Sequence, residues 1–372
     1  MSLLIDKATQ SPIKDIAEKI LNNDRISYDD AIRLYNHSDI LTIGALADYA
    51  RTNRAPEESK NYAYFINNYH INITNICEGD CKFCAYKKTE QDPEAYFMEL
   101  DTIEKHIKDN APESIKELHI VSALNKKADL NYYAELFKIC HKARPEAHIQ
   151  ALTAVEVDYL AKLENKSPEE IFNTLKQAGL GSLPGGGAEI FNHAIRNNVC
   201  PNKISGERWL EIMEIGHNLG IKSNATMLTG INETYEHRVE HMDKIRTLQD
   251  KTHGFMTFIP LVCHYQNTEL EIPQNNTGFD NLKDLAISRI YLDNIPHIKA
   301  FWIQLGLKLS QISLAFGVDD MDGTVVREKI SRAAGANTTD LVTIDLLIDI
   351  IKNANRIPVE RNTIYDIIEI YK

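Results

Sequence analysis

Three cysteines stand within eight residues, Cys77-Glu-Gly-Asp-Cys81-Lys-Phe-Cys84, while Cys140, Cys200 and Cys263 are scattered singly. Thiolates this close repel one another and take up protons unless a cation holds them, so the spacing points to ligation or redox chemistry at one place. Structural zinc wants four ligands, often as two paired knuckles, and no fourth cysteine follows within fifty residues. Iron–sulfur clusters use one thiolate per iron. A triplet without a local fourth partner leaves one iron open, and an open metal position is a place for chemistry. A structural zinc site and an ordinary set of core cysteines are the plainer alternatives. The three single cysteines read as small buried hydrophobes.

Other groups are open to two readings each. Gly185-Gly186-Gly187 is either a plain tight turn or a backbone cradle for a carboxylate or adenosyl group. Glu189 either bonds ribose hydroxyls and shuttles a proton, or simply favours a helix start. His70 is a polar contact near the triplet or a strand residue. Strand alternation puts Ser223, Ala225 and Met227 on one face and Asn224 and Thr226 on the other; the polar pair either faces a ligand or satisfies neighbouring loops. Trp302 is an aromatic wall or core, and core is the safer expectation.

These groups need a frame. Residues 1–62 read as a helical layer: Ser11-Pro12 as a cap before Ile13, Ile16 and Ile20, Ser27 with Asp30 as a second cap, and a third helix over Ile40 to Tyr49. From Tyr69 onward, short apolar or β-branched runs alternate with helical segments, the signature of βα units and a parallel sheet. Eight strands are expected: Tyr69 to Thr74, Glu117 to Ser122, Ala147 to Leu152, Leu180 to Leu183, Ile221 to Leu228, Phe255 to Pro260, Lys299 to Ile303 and Gln311 to Phe316. Eight is the number of a (βα)8 TIM-type barrel, whose active site lies at the C-terminal ends of its strands. The triplet follows the first of them. Ser167-Pro168-Glu169-Glu170 starts a helix ending at Ala178-Gly179, Glu233 to Gln249 forms another, and Asp284 to Leu292 belongs to a third. Thr338 to Asn355 and Asn362 to Tyr371 read as two closing helices joined through Pro358. The expected architecture is a barrel core over 63–335 between an N-terminal layer (1–62) and a C-terminal helical cap (336–372).

The composition narrows the partners. The chain has 372 residues, 43 % hydrophobic and 25 % charged, ordinary globular values. A formal charge of −12 and no long basic run argue against nucleic acid. The longest apolar run, Phe255 to Cys263, is far short of the roughly 18 residues of a membrane span. The first residues lack the pattern of a secretory signal, so a cytoplasmic protein with reduced thiols and a small-molecule partner is expected.

Cys-x3-Cys-x2-Cys with Phe83 before the last cysteine resembles the signature of radical S-adenosylmethionine (SAM) enzymes. From about residue 15 to residue 340 the chain is similar to one branch of them, the aminofutalosine synthases of menaquinone biosynthesis by the futalosine pathway. The segments that carry this are SLPGGGAEIF (Ser182 to Phe191), CPNKIS with ERWLEI (Cys200 to Ile212), SNATMLTG (Ser223 to Gly230), LDNIPHIKAFW (Leu292 to Trp302) and FGVDDMDGTVV (Phe316 to Val326). The sister futalosine cyclases share GGGAE and DNIP but usually lack DMDGT, present here at Asp320 to Thr324.

The resemblance implies a barrel in which Cys77, Cys81 and Cys84 bind a four-iron four-sulfur cluster. The amino and carboxylate groups of S-adenosylmethionine chelate the open iron. One electron then yields methionine and a 5'-deoxyadenosyl radical. In this branch the radical adds to 3-[(1-carboxyvinyl)oxy]benzoate and, after rearrangement and loss of a carboxylate, gives aminofutalosine, so that S-adenosylmethionine is a consumed co-substrate. It further implies an electron donor such as flavodoxin or ferredoxin. Phe83, Tyr86, Ser122, Ala123, Glu156, Gly185, Gly186, Gly187, Asn224 and Thr226 fall at the cofactor in this reading, and Glu189, Arg289 and His297 at the catalytic positions. The dicarboxylate substrate calls for local cations, with Arg289, His297, Lys299 and Arg327 as candidates; arginine suits a bidentate clamp best. One stretch departs from the branch: Val121-Ser122-Ala123-Leu124-Asn125 stands where a Gly-Gly pair followed by histidine is common.

Overall fold

Helix boundaries follow capping chemistry. Ser27 and Asp30 form a reciprocal capping box at the start of Tyr28–Asn36, and Ser167 with Glu170 does the same for Pro168–Ala178, where proline sits in the first turn. That helix stops at Gly179, whose φ of 115° suits glycine. The Ser11-Pro12 cap lies earlier than the helix it was expected to open: Lys14–Leu21 begins after Ile13, and the Ser11 hydroxyl accepts the Ile13 N–H at 3.3 Å. With Leu3–Ala8 and Ile40–Arg54 these helices form the N-terminal layer. It is pinned to the helix Gly278–Tyr291 by Tyr35, whose hydroxyl donates to Asp284 at 2.9 Å. The computed structural model describes residues 3–270, 276–336 and 342–372.

Eleven strands occur among the described residues: β1 (Tyr62–Ile66), β2 (Asn68–Ile71), β3 (Glu117–Ile120), β4 (His148–Ala151), β5 (Ser182–Leu183), β6 (Lys222–Thr229), β7 (Phe255–Val262), β8 (His297–Ile298), β9 (Asp320–Gly323), β10 (Ile357–Arg361) and β11 (Ile367–Ile370). β2 to β8 form a parallel sheet in chain order, the arrangement that βα units produce. Parallel bridges Lys299 to Asp320 and Tyr69 to Val326 bring the 320–326 segment against both of its edges. The eighth position of the barrel is therefore filled by β9 and its extension. It is not filled by Gln311 to Phe316, which spans the end of the helix Leu307–Ser313 and the turn after it. The alternating apolar residues there misled: Ile312 is 51 % exposed while Ser310 and Ser313 are buried, a helical face. The strand expected at Lys299 to Ile303 is likewise earlier and shorter, and Trp302 opens the short helix Trp302–Leu305.

The C-terminal reading is corrected further. In place of two closing helices there is one, Ile344–Asn353, followed by the antiparallel pair β10 and β11; Thr338 to 341 lie outside the described residues. Asn362, expected to begin a helix, instead makes the hairpin turn, its amide oxygen accepting the Asp366 N–H at 2.9 Å. β10 runs parallel to β1, and β1 to β9, so a second sheet is ordered β11-β10-β1-β9. The hairpin inserts Arg361 and Tyr365 at the lower mouth of the barrel, where both bond the Asp320 carboxylate at 2.7 Å. No helix among the described residues is long and apolar enough to cross a membrane.

Candidate active site

The cysteines lie in the long loop after β2, and their positions are set by neighbouring strand ends. The Cys77 sulfur accepts the Gly79 N–H at 3.3 Å and the Leu124 N–H at 3.4 Å, while Glu78 N–H donates to the Leu124 carbonyl at 2.9 Å. Ser122, at the end of β3, bridges to the same loop by accepting the Thr74 N–H at 3.0 Å and donating to the Thr74 carbonyl at 3.1 Å. Its own N–H goes to the Glu156 carboxylate at 3.1 Å, which also receives Thr153 N–H at 2.7 Å. Serine in place of a glycine thus ties the two loops together through its hydroxyl.

These loops enclose a cavity of about 280 Å³ at the C-terminal ends of the strands. It brings together Cys77, Cys81 and Cys84 with Phe83, Tyr86, Ser122, Ala123, Glu156, Gly186, Gly187 and Glu189. Leu228, Leu261 and Val262 supply apolar wall from the ends of β6 and β7. Cys263, buried as expected, also lines it, and burial pushes its thiol up to about 12. Cys140 and Cys200 are buried. Burial raises the Cys81 and Cys84 thiols, and the nearby Lys203 ammonium partly draws Cys81 back toward ionisation. Tyr86 donates its hydroxyl to Tyr96, which donates in turn to the Asn72 carbonyl at 2.9 Å.

Several expected site residues lie elsewhere. Gly185 packs under the cavity, where a Cβ would come 2.2 Å from the Asn224 carbonyl oxygen; Thr226 donates to the Gly185 carbonyl at 2.9 Å, and Asn224 to Gln150 at 3.5 Å. Asn224 and Thr226 do share one face of β6, as alternation required, while Ser223 turns outward to His217 at 2.8 Å. Arg289 and His297 are not at the cavity. They meet at Asp319, at 2.5 and 2.8 Å, at the start of β8, and line a separate cavity of about 440 Å³ with Arg51 and Arg54. Both are tied up at Asp319, at the opposite end of the sheet. Lys299 is paired with Asp322 at 3.1 Å, and Arg327 donates to Asn110 at 2.5 Å on the surface. His70 is buried and stacked on His119, and burial drives its pKa well below the usual value, so it stays neutral. Trp302 is core, its indole N–H donating to the Gly323 carbonyl at 2.8 Å.

The cation that sequence reasoning missed is Lys203. It lines the cavity, pairs with Glu189 at 2.7 Å and stands 5.1 Å from the centre of the Phe83 ring. It lies in the Cys200–Ser205 stretch; the signal that could have found it is a lysine in a turn that the fold returns to the cysteine loop.

Residues 71–245 match the Radical SAM superfamily profile and 252–372 that of the CofH/MqnC C-terminal region. The aminodeoxyfutalosine synthase of Thermus thermophilus is 38 % identical across 94 % of both chains. The chain belongs to the radical SAM superfamily. Other members are similar as well. The 5-amino-6-(D-ribitylamino)uracil--L-tyrosine 4-hydroxyphenyl transferase of Methanocaldococcus jannaschii is 37 % identical over 92 % of this chain and 97 % of its own. The cyclic dehypoxanthine futalosine synthase of Streptomyces coelicolor is 35 % identical over 98 % and 90 %. Among solved structures, the FeFe-hydrogenase maturase HydG from Carboxydothermus hydrogenoformans shares the fold, with a TM-score of 0.72 and 13 % identity over 97 % of this chain and 83 % of that one. The expected α/β barrel of the radical SAM kind is therefore the fold.

Membership implies a four-iron four-sulfur cluster and S-adenosylmethionine. The donor set fits a cluster: three thiols line one cavity, and backbone N–H groups point at the Cys77 sulfur, as hydrogen bonds to cluster sulfurs do. Gly79 keeps that sulfur accessible, since a Cβ there would stand 3.3 Å from it.

Proposed function

We propose that this radical SAM enzyme is an aminodeoxyfutalosine synthase. It joins the 5'-deoxyadenosyl group of S-adenosylmethionine to 3-[(1-carboxyvinyl)oxy]benzoate and, with rearrangement and decarboxylation, gives 6-amino-6-deoxyfutalosine and methionine in menaquinone biosynthesis. The observation that carries this reading is the near-full-length relation to the Thermus thermophilus synthase. The DMDGT segment supports it. Its first four residues form β9, where Asp322 holds Lys299, and just after it the Thr324 hydroxyl accepts the Asn68 N–H at 3.1 Å, so it is built into the barrel interior.

In this reading Cys77, Cys81 and Cys84 would hold the cluster, with S-adenosylmethionine beside it. When bound, the cluster would supply the single electron for reductive cleavage of S-adenosylmethionine. The protein's own residues position and shield. Gly186 and Gly187 let backbone approach the adenosyl portion closely. Phe83 and Tyr86 wall the cavity beside the cysteines, and Glu156 orients the Ser122–Ala123 backbone by holding its N–H. Lys203, paired with Glu189, brings a cation to the cavity wall, where Arg289 and His297 do not lie. The apolar Leu228, Leu261 and Val262 keep water from a reactive carbon centre. A low-potential donor of the flavodoxin or ferredoxin class and a cytoplasmic setting belong to the same reading, as does the division of the chain at residues 62 and 335.

The deciding experiment is anaerobic incubation with S-adenosylmethionine, a reductant and the enolpyruvyl benzoate, followed by mass analysis. Aminofutalosine as the main nucleoside product is expected. Free 5'-deoxyadenosine without adduct would move the assignment to the cyclic dehypoxanthine futalosine synthases, also similar in sequence. A colourless protein holding zinc and no iron would remove both.

A further inference from the structure

Lys203 and Glu189 form an ion pair inside the wall of the cysteine cavity, with only 13 % and 9 % of their side chains exposed. Burying two charges is costly, and the Glu189 backbone is held at a φ of 50°, a region that non-glycine residues rarely occupy and that clusters at functional sites. The pair is placed with care relative to the cysteines. The turn that carries Lys203 is strapped to the cysteine loop by Lys82 N–H donating to the Val199 carbonyl at 2.8 Å. Asn202 adds two bonds to the Asp80 carboxylate, from its N–H at 3.3 Å and its side-chain amide at 2.7 Å. These bonds tie the Lys203 turn to the cysteine loop, and Lys203, Glu189 and Cys81 line the same cavity.

We propose that Lys203 and Glu189 set the reduction potential of the iron–sulfur cluster held by Cys81, the ammonium favouring the reduced, more negative state and the carboxylate opposing it. This rests on the reading that the triplet binds the cluster. The step is a one-electron reduction by a low-potential donor: one electron enters, no bond forms or breaks, and the ion pair keeps its proton. A fixed charge in a water-poor wall acts more strongly than one in solvent, and cluster potentials respond to local charge and hydrogen bonding. Two opposite charges side by side give the cavity a trim that each member can shift in its own direction.

The test is potentiometric titration of anaerobically reconstituted protein, followed by electron paramagnetic resonance without S-adenosylmethionine, so that turnover plays no part. Lys203→Met is expected to lower the potential so that the reduced-to-oxidised ratio at a given voltage falls roughly tenfold, about 59 mV for one electron. Glu189→Gln is expected to raise it, and Lys203→Arg to restore it toward wild type. Should Lys203→Met not fold, the rise expected for Glu189→Gln still carries the sign. Shifts in the same direction for both charge removals, or none at wild-type iron content, overturn the proposal. Wild-type protein that takes up no iron and sulfide overturns instead the cluster reading on which it rests.

Discussion

The imidazole of His297 lies flat against the ring of Tyr365, with centroids 3.8 Å apart and planes 2° from parallel. The two rings serve adjacent aspartates. His297 meets Asp319 at 2.8 Å and Tyr365 donates to Asp320 at 2.7 Å, while Arg289 and Arg361 bring the opposing charges. The β10–β11 hairpin and the lower end of the barrel are thereby one electrostatic unit.

Asp319→Asn leaves the buried Arg289 guanidinium without its carboxylate, and breaking a buried pair of this kind costs about 3–5 kcal/mol. Burial pushes the Asp319 carboxyl up, but Arg289 and His297 overcome this and hold it at about 2. Its stabilisation is therefore complete above the ordinary aspartate range and is lost as pH falls from about 4 through about 2. Urea unfolding between pH 2 and 7 should show that acid limb in the wild type and not in the variant.

Glu156 titrates in the other direction. Burial raises its carboxyl to about 7, against the pull of the Thr153 and Ser122 hydrogen bonds. A carboxyl that stays protonated in the folded chain but ionises in the unfolded one makes stability fall as pH rises from about 4.5 to about 7, by on the order of 3 kcal/mol. Glu156→Gln should flatten the profile in that window, read by denaturant midpoints at constant ionic strength.

Cys81→Ala removes one proposed ligand from a half-buried position. Turnover should vanish and iron content fall, while the thermal midpoint of protein purified without metal shifts by no more than a few degrees, the size of a roughly 1 kcal/mol change. Aminofutalosine formed at the wild-type rate would contradict the assignment.

The glycine triplet separates packing from binding. Gly185 has a φ of 81° and its Cβ would strike the Asn224 carbonyl at 2.2 Å, so Gly185→Ala should destabilise by roughly 3 kcal/mol. At Gly186 the nearest atom to a Cβ is the Thr153 methyl at 3.1 Å, and the residue faces the cavity. Gly186→Ala should cost under about 1 kcal/mol yet raise the KM for S-adenosylmethionine several-fold. Paired denaturation and initial-rate measurements distinguish the two.

What was legible from the residues was local or periodic. The triplet, the capping boxes at Ser27 and Ser167 and the first six barrel strands follow from spacing and turn chemistry. The rest depended on partners far along the chain. Arg289 and His297 read as candidate substrate contacts or structural charges until Asp319 claimed both. Lys203 read as one residue of a motif until the 199–203 turn folded back on Asp80. The exposure of Ile312 and the Asn362 turn reversed two secondary-structure assignments that apolar patterning alone favoured.

The pairing of β1 bears on how the chain is made. Its strand partners are β9 and β10, and β9 begins about 250 residues after β1 ends. At about 5–20 residues per second, a ribosome takes roughly 13 to 50 s to deliver the first of them. Throughout that interval the Tyr-Ala-Tyr-Phe-Ile segment has both edges open, the state most prone to pairing with another nascent chain. Yield in a host should therefore depend on chaperone supply during translation more than on the stability of the finished barrel.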